Sequence, residues 1–328
     1  MAALAARGHD VTMLVHAGAS ERGVEVRAEL DYVLGAWRRP VAGSRAARND
    51  SGLVAGALPH VDAALVWHMR GLSKAPLRLL HRAGTPVLYF LHDRWVLYEK
   101  PGALHVPWAR LRSDRIAREG IGCFVSRWLR DEYARRGWRA RREEIVPCGV
   151  DVSKFRREAP PTSPARTALY AGRVDRAKGL HVALDAVARV PGLRLTVVGP
   201  GEGGYAEEMR ARARNLDVDW LGEVPRDEVR RLLATHDVLV YPSIGVEAYS
   251  LGLLEGLAAG IGIVTSAQGG PQEYLRDGVN ARVVPPGDVG ALAQALREPV
   301  VAGRLPPELE LERVVDRVEA LLSSAGTA

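Results

Sequence analysis

The sequence predicts an α/β protein with two doubly wound parallel sheets, and three observations lead to this fold class. Short apolar runs alternate with helical patterns along most of the chain, as in βαβ units. The length of 328 residues suffices for two domains of roughly 150 residues. A Pro-rich polar stretch, VSKFRREAPPTSPAR at 152–166, is typical of an interdomain linker. We therefore expect two Rossmann-like domains, 1–151 and 167–306.

The first half contains six candidate strands, most of them separated by helical segments. They are 10–15, 24–27, 61–67, 86–91, 121–125 and 144–147. Three of these strands end in a histidine, namely His16, His68 and His92. Each is a candidate site residue, because the carboxyl ends of parallel strands line the ligand crevice. A lone histidine more often only caps a strand, but His92 is followed by Asp93, which could orient its ring.

The first half is also basic. Residues 1–158 hold 27 Lys and Arg against 17 Asp and Glu, and six of the seven Trp. Residues 94–119 interrupt the alternation with Trp95, Trp108 and five arginines. This segment is either a solvated helix pair with buried Trp anchors or a surface for an acceptor or a membrane. Since no nucleic-acid recognition motif accompanies the charge, anionic lipid or a phosphate-bearing acceptor is the better interpretation.

The second half repeats the alternation of strands and helices. Its candidate strands are 167–171, 193–198, 217–220, 238–241, 261–265 and 281–284. A Gly-rich turn, GPGEGG at 199–204, follows one strand and opens a helix. Apolar residues at helical spacing predict a last helix over 307–323.

Residues 238–265 carry the clearest chemistry. A strand, a turn, a helix and a second strand follow one another, and seven residues separate Glu247 from Glu255. The first backbone N–H groups of the helix would face the crevice, where they could bind an anionic diphosphate between the two glutamates. Two glutamates at this spacing would, taken alone, more often be a solvated helix face. The first helical positions are Ser250, Leu251 and Gly252.

Positive side chains for such a phosphate site lie at 168–179, ALYAGRVDRAKG. Arg173 and Lys178 follow a predicted strand, and Gly179 opens the next helix. Both cations therefore project from one loop at the carboxyl end of a parallel strand, although charged loop residues are common.

Together these motifs resemble the retaining glycosyltransferases of family 4 (glycosyl transferases group 1), which have the GT-B fold. In that family a Gly-Arg loop with a Lys-Gly precedes two glutamates separated by seven residues. Three further stretches agree in order, PCGVD at 147–151, WLGEVPRDEVRRLLATHDVLVYPS at 220–243 and GGPQEYLRDGVNARVVPPGD at 269–288. Departures from the family pattern are Cys148, Gly262 and Ala281, where the family usually or often has Asn, Pro and Gly.

The resemblance implies an architecture and a reaction. Two domains would face each other across a cleft, the first binding the acceptor and the second the nucleotide-sugar donor, with helix 307–323 crossing back onto the first. The enzyme would move a sugar to a carbohydrate, lipid-linked or small-molecule acceptor and retain its anomeric configuration. The departing phosphate would take the acceptor's proton. No metal and no cofactor besides the nucleotide-diphosphate sugar are expected.

The resemblance also assigns roles to individual residues. Arg173 and Lys178 would stabilise the diphosphate, Glu255 would bind the ribose hydroxyls and Glu247 the donor sugar. His92 would lie near the transferred sugar. The turn that begins at Gly199 would lie near the nucleotide.

Two other functions remain open at this point. One is a catalytically impaired glycosyltransferase-like binding or scaffold protein, and the other is a GT-B nucleotide-sugar epimerase. The first arises because the opening residues, MAALAARGHDVTMLVH, look like the end of a helix and the family's second strand. The family's first strand and Gly-rich loop would then be missing, and we expect the natural reading frame to start upstream.

The compartment is inferred from what the sequence lacks. No signal-peptide pattern and no apolar run near the ~20 residues of a membrane span are visible. Cys123 and Cys148 do not make a disulfide framework. We expect a cytoplasmic protein, and peripheral contact with the inner membrane face is a further interpretation of the basic half.

Overall fold

The structure, a computed structural model, describes residues 2–15, 25–29, 61–67, 75–94, 118–201 and 203–325. The chain divides into two units. The first comprises Met1–Pro147 and Val314–Ala328, and the second comprises Cys148–Arg313. His16, His68, Trp95 and Trp108 lie outside the described residues, so the predictions made for them are not addressed.

Parallel sheets form the described part of the first unit. β1 (Thr12–Val15) pairs with β2 (Glu25–Glu29). A four-stranded parallel sheet has the order β3-β4-β5-β6. Its strands are β3 (Ala64–Val66), β4 (Val87–Leu91), β5 (Ile121–Phe124) and β6 (Arg142–Ile145). The six predicted strands are confirmed, with ends that shift by up to three residues.

β6 shows why the strand ends were misplaced. This strand lies at the edge of its sheet and begins at Arg142, two residues before the predicted start. Arg142 pairs with Glu144 at 3.0 Å, and Arg139 pairs with Glu143 at 3.2 Å. Edge strands tolerate charged side chains, so the hydrophobic pattern did not reveal the first two residues, Arg142 and Glu143.

The helices of the first unit pack an aromatic core. They are α1 (Ala2–Ala6), α2 (Ala75–Arg82) and α3 (Arg127–Arg135). α3 places the Tyr133 ring edge-to-face on Phe124 and on Trp138, at centroid distances of 5.4 and 5.1 Å. Trp138 is 1% exposed and therefore belongs to the core, not to a surface for an acceptor or a membrane.

The second unit is built on a six-stranded, fully parallel sheet with the order β14-β12-β10-β7-β8-β9. The strands are β7 (Thr167–Ala171), β8 (Arg194–Val198), β9 (Val218–Gly222), β10 (Val238–Tyr241), β12 (Gly262–Thr265) and β14 (Arg282–Val283). The helices between them are α4 (Leu180–Val187), α5 (Gly204–Arg212), α6 (Arg226–Thr235) and α7 (Leu251–Ala259), and α8 (Val289–Arg297) follows the last strand. This arrangement confirms the predicted α/β class and all six strands.

A small second sheet was not predicted. β11 (Val246–Glu247) pairs in parallel with β13 (Gln268–Gly269). Strands of two residues are too short for any period to appear in the sequence. The pairing fixes the backbone at Glu247, a predicted site residue.

The segment 152–166, predicted as a linker, belongs to the second unit. Its polar backbone groups bind Asp237, which is 6% exposed and precedes β10. The Asp237 carboxylate accepts hydrogen bonds from the N–H groups of Thr162 at 2.6 Å and of Arg166 at 2.9 Å. Composition identified an irregular segment correctly, but these bonds fasten it to one unit.

The last predicted helix, 307–323, is divided in two. Pro307–Leu309 forms a 3₁₀ turn, and α9 (Leu311–Ala325) follows. Between them the chain is extended, because the Val150 N–H donates to the Leu309 carbonyl at 3.0 Å and the Leu311 N–H to the Val150 carbonyl at 2.9 Å. From Val314 onward α9 belongs to the first unit. Arg7 there pairs with Asp316 and Glu319, at 2.8 and 2.6 Å.

Candidate active site

The sheet of the second unit has a switch point between β7 and β10. β8 and β9 lie on one side of β7, and β10, β12 and β14 lie on the other. Doubly wound sheets bind ligands outside the carboxyl ends of the two strands at such a point. Arg173 and Lys178 follow β7, and Glu247 and Ser250 follow β10. Four predicted site residues therefore follow the two strands at which a ligand is expected.

The loop after β7 is shaped by Asp175. One carboxylate oxygen of Asp175 accepts from the Lys178 N–H at 3.0 Å and caps the 3₁₀ turn Arg176–Lys178. The other oxygen lies 3.1 Å from the Arg173 guanidinium. One carboxylate thus orders the loop that carries both predicted cations.

Backbone contacts hold this loop against the segment after β10. The Ala177 carbonyl accepts hydrogen bonds from the N–H groups of Ile244 and Gly245, at 2.8 and 3.0 Å. Gly179 follows with φ 70°, and a Cβ there would lie 2.0 Å from the Pro242 carbonyl oxygen. Only glycine permits this backbone and this approach, so the fold itself requires the glycine of the Lys-Gly pair.

Lys178 and Glu247 are in direct contact. The Lys178 ammonium lies 2.6 Å from Oε1 of Glu247 and 3.1 Å from the Tyr241 hydroxyl. The Ser243 hydroxyl donates to the same Oε1 at 2.7 Å. The Lys178 and Glu247 side chains are only 19% and 16% exposed. The structure therefore brings together a predicted cation and a predicted carboxylate 69 positions apart in the chain.

The Lys178 ammonium is held in its charged form. Burial is the largest single influence on its pKa and lowers it, but the combined effects of Tyr241 and Glu247 outweigh burial. The net result is a pKa raised above the ordinary lysine value. Lys178 therefore carries a positive charge at neutral pH.

The N-terminus of α7 is held by the Ser250 cap and by Tyr274. The Ser250 hydroxyl accepts from the Leu253 N–H at 3.4 Å and caps the helix, which begins one residue later, at Leu251. Ser250 has φ 128°, the only positive φ of a non-glycine residue in the described part of the chain. The Tyr274 hydroxyl donates to the Ser250 carbonyl at 3.2 Å. Leu251, 48% exposed, and Gly252 form the first turn.

Glu255 lies on α7 and pairs with a residue that sequence reasoning did not select. The Arg226 guanidinium donates to Oε1 of Glu255 at 2.8 Å. Arg226 is the first residue of α6, which packs against α7. The Glu255 side chain is 19% exposed.

Arg173 and Gly199 lie on neighbouring loops. The Arg173 side chain is 69% exposed and pairs with Asp175. Gly199 has φ 132°, and a Cβ there would lie 2.1 Å from the Gly172 carbonyl oxygen. The close approach of the two loops is itself a reason for glycine at 199, and its predicted place near the nucleotide stays a prediction.

His92 belongs to the first unit and directly follows β4. Its ring is half-buried and stacks on Phe90 at a centroid distance of 6.2 Å, and Phe90 stacks on Trp67 at 4.4 Å. The next residue, Asp93, accepts a hydrogen bond from the Tyr133 hydroxyl through its backbone carbonyl. The strand-end position of His92 is confirmed, and its role stays a prediction.

Sequence reasoning missed the supporting residues Asp175, Tyr241, Ser243 and Arg226. Only Asp175 left a local signal, because an aspartate three residues before Lys178 is typical of an N-cap. The others act across loops and helices, and their partners are identifiable only after folding.

Two further properties of the described residues concern metal sites and membrane-spanning helices. Over the described ranges, His, Cys, Asp and Glu side chains form no group of three or more that could hold a metal ion. Within those same ranges every helix is too short or too polar to span a bilayer.

Two family models match consecutive parts of the chain. Glycosyltransferase Family 4 matches residues 1–154, and Glycosyl transferases group 1 matches residues 165–300.

Curated relatives share part of the sequence. A phosphatidyl-myo-inositol mannosyltransferase of Mycolicibacterium smegmatis is 34% identical over 162 residues, which cover 46% of this chain and 41% of that protein. A lipopolysaccharide core biosynthesis glycosyltransferase, LpsE of Rhizobium meliloti, is 32% identical over 160 residues, covering 48% and 45%. The match therefore spans less than half the length of these relatives.

Solved structures share the fold. A glycosyltransferase from Rickettsia africae ESF-5 gives a TM-score of 0.71 at 14% identity, with 98% of this chain and 92% of that chain covered. HepE of Anabaena, in complex with UDP and glucose, gives 0.68 at 19% identity, with 92% and 87% covered. Both family models and both folds agree with the motifs described above, and the chain belongs to the family 4 glycosyltransferases (glycosyl transferases group 1) with the GT-B fold.

Proposed function

We propose that this protein is a retaining glycosyltransferase that moves a sugar from a nucleotide-diphosphate donor to a carbohydrate, lipid-linked or small-molecule acceptor. The observation that carries the proposal is the contact between Lys178 and Glu247 beside the N-terminus of α7, at the switch point of the sheet. A partly buried cation, a helix N-terminus and a carboxylate together suit a ligand with an anionic diphosphate and a sugar.

The main barrier in sugar transfer is the negative charge that develops on the departing diphosphate. Lys178 and the N–H groups at the start of α7 would stabilise this charge, each contributing about 2 to 4 kcal/mol to the transition state. Arg173, which is exposed and paired only loosely to its own loop through Asp175, would turn toward the phosphates when the donor binds.

The two glutamates would hold opposite ends of the donor. Lys178 and Ser243 both bind Oε1 of Glu247, so Oε2 is the oxygen available to the donor sugar's hydroxyls. Glu255 would accept the ribose hydroxyls, since a carboxylate accepts two hydroxyl donors at once. His92 is proposed to act near the transferred sugar.

The acceptor and its location belong to the same proposal. The named relatives act on a phosphatidyl-myo-inositol and in lipopolysaccharide core biosynthesis, which supports a lipid-linked acceptor here. The excess of 27 Lys and Arg over 17 Asp and Glu in residues 1–158 supports peripheral contact with an anionic membrane from the cytoplasmic side. We propose that transfer needs no metal, because Lys178 and the start of α7 supply the positive charge.

Incubation of the protein with a panel of nucleotide sugars, with and without lipid and carbohydrate acceptors, tests the proposal. We expect release of the nucleoside diphosphate that depends on the acceptor, and a product whose anomeric configuration matches that of the donor by NMR. Isomerisation of the donor without any acceptor would identify an epimerase instead. Donor binding with no turnover for any acceptor would identify a binding protein.

A further inference from the structure

Arg226 and Glu255 join two helices of the second unit. The guanidinium lies 2.8 Å from Oε1 of Glu255, across the contact between α6 and α7. The two partners differ greatly in exposure, 75% for the Arg226 side chain and 19% for that of Glu255. An exposed arginine thus reaches from the first turn of one helix to a largely buried carboxylate on the other.

This ion pair is poorly suited to stabilising the fold. Pairs with a strongly exposed partner contribute little to stability, because solvent screens them and a long side chain must be ordered. Its effect on geometry is larger, because the pair fixes the direction of one carboxylate oxygen. Within the described residues, Oε1 of Glu255 accepts a hydrogen bond from Arg226, and no protein group binds Oε2.

We propose that Arg226 is a positioning residue that orients the Glu255 carboxylate toward the ribose hydroxyls of the donor nucleotide. The inference rests on the proposed function and adds to it a determinant of selectivity for ribose. With Oε1 held by Arg226, the plane of the carboxylate is fixed. Oε2 and the remaining lone pair of Oε1 can then accept hydrogen bonds from the two neighbouring hydroxyls of the ribose. Without Arg226, the carboxylate would rotate and lose this match.

The preference for ribose over 2′-deoxyribose measures this effect directly. Calorimetry with a ribonucleoside diphosphate and its 2′-deoxy form would be carried out for wild type and for Arg226→Met, with the base that binds wild type best. We expect wild type to prefer the ribose form, and Arg226→Met to reduce that preference by about three- to tenfold, the range expected for one weakened hydrogen bond. The Arg226→Lys variant should retain more of the ribose preference than Arg226→Met.

Arg231→Met is the matched control. Arg231 lies on the same helix, is 60% exposed and pairs with Glu228 within that helix. Its loss removes an equivalent surface charge without touching α7, so the ribose preference should stay at the wild-type value. In a Glu255→Gln background, Arg226→Met should cause no further reduction, since the carboxylate through which it acts is already gone.

The outcomes separate the inference from the proposed function. If wild type binds a ribonucleoside diphosphate and Arg226→Met keeps the full ribose preference, the inference is wrong and the proposed function stands. An equal loss of affinity for both sugars would also overturn it, because it would point to a general electrostatic effect. If wild type binds no nucleoside diphosphate, both the proposed function and the inference that rests on it are wrong.

Discussion

At the scale of single residues, Ser250 shows how the start of α7 is held in place. Its φ of 128° lies where non-glycine residues are strained, at a cost of about 1 to 3 kcal/mol. The Ser250 hydroxyl caps the helix, and Tyr274 binds the Ser250 carbonyl. The strain is thus maintained by contacts at the point where the diphosphate is proposed to bind.

Two substitutions separate the strain from the cap. Ser250→Ala keeps the strained backbone and loses the cap, whereas Ser250→Gly loses the cap but relieves the strain. We expect Ser250→Gly to be the more stable variant by about 1 kcal/mol, after allowing for the greater freedom of glycine in the unfolded chain. Urea unfolding of the two variants measures the difference. A glycine variant less stable than the alanine variant would show that the backbone is not strained.

The residues of the site were predictable to different degrees. Lys178 and Glu247 could be selected because their motifs are local, and the switch point of a parallel sheet brings such loops together. The pairing of Glu255 with Arg226 could not be predicted, because it depends on how α6 packs on α7. His92 was placed at a strand end correctly, but its function is not determined by that position.

At the scale of elements, Asp237 fastens the segment 152–166 to the sheet. Its carboxylate accepts from the N–H groups of Thr162, Arg166 and Thr167 and from the Thr167 hydroxyl. Burial is the largest influence on the pKa of Asp237 and raises it, but these hydrogen bonds outweigh burial, so the pKa is lowered. Composition predicted an irregular segment here, and it could not reveal a buried anchor that lies more than 70 positions along the chain.

Asp237→Asn should destabilise the second unit by about 2 kcal/mol at neutral pH, because one oxygen acceptor and the charge are lost. The lowered pKa gives the effect a pH dependence. The contribution of the carboxylate is complete above the ordinary aspartate value of 3.8 and disappears as the pH falls through the lower value of the folded state. The difference between wild type and variant in unfolding free energy should therefore shrink only in acid. A difference that stays constant below pH 3.8 would contradict this account of Asp237.

At the scale of the whole molecule, the α/β class and the positions of the main strands along the chain followed from hydrophobic alternation. The two-residue strands β11 and β13 were not predicted, and the charged start of the edge strand β6 was missed, because these residues lack the hydrophobic pattern on which the prediction depends. The uneven charge of the chain, which is basic in its first half, could be determined from the sequence alone. Burial of Trp138 shows that not every tryptophan of that half serves a surface.

In the proposed function, the second unit binds the donor, and Lys178 is the principal cation of the donor site. Arg176 provides a matched control for Lys178. It lies on the same 3₁₀ turn, its side chain is 71% exposed, and it pairs with Glu208 rather than with Glu247. Replacement of each cation by methionine removes one positive charge from the same loop.

Calorimetric titration of wild type, Lys178→Met and Arg176→Met with a nucleoside diphosphate is the most direct test of the donor site. We expect Lys178→Met to weaken binding by about tenfold or more, the loss expected for a hydrogen bond to a charged group, and Arg176→Met to bind as wild type does. Equal affinities in all three proteins would contradict the assignment of the diphosphate to Lys178.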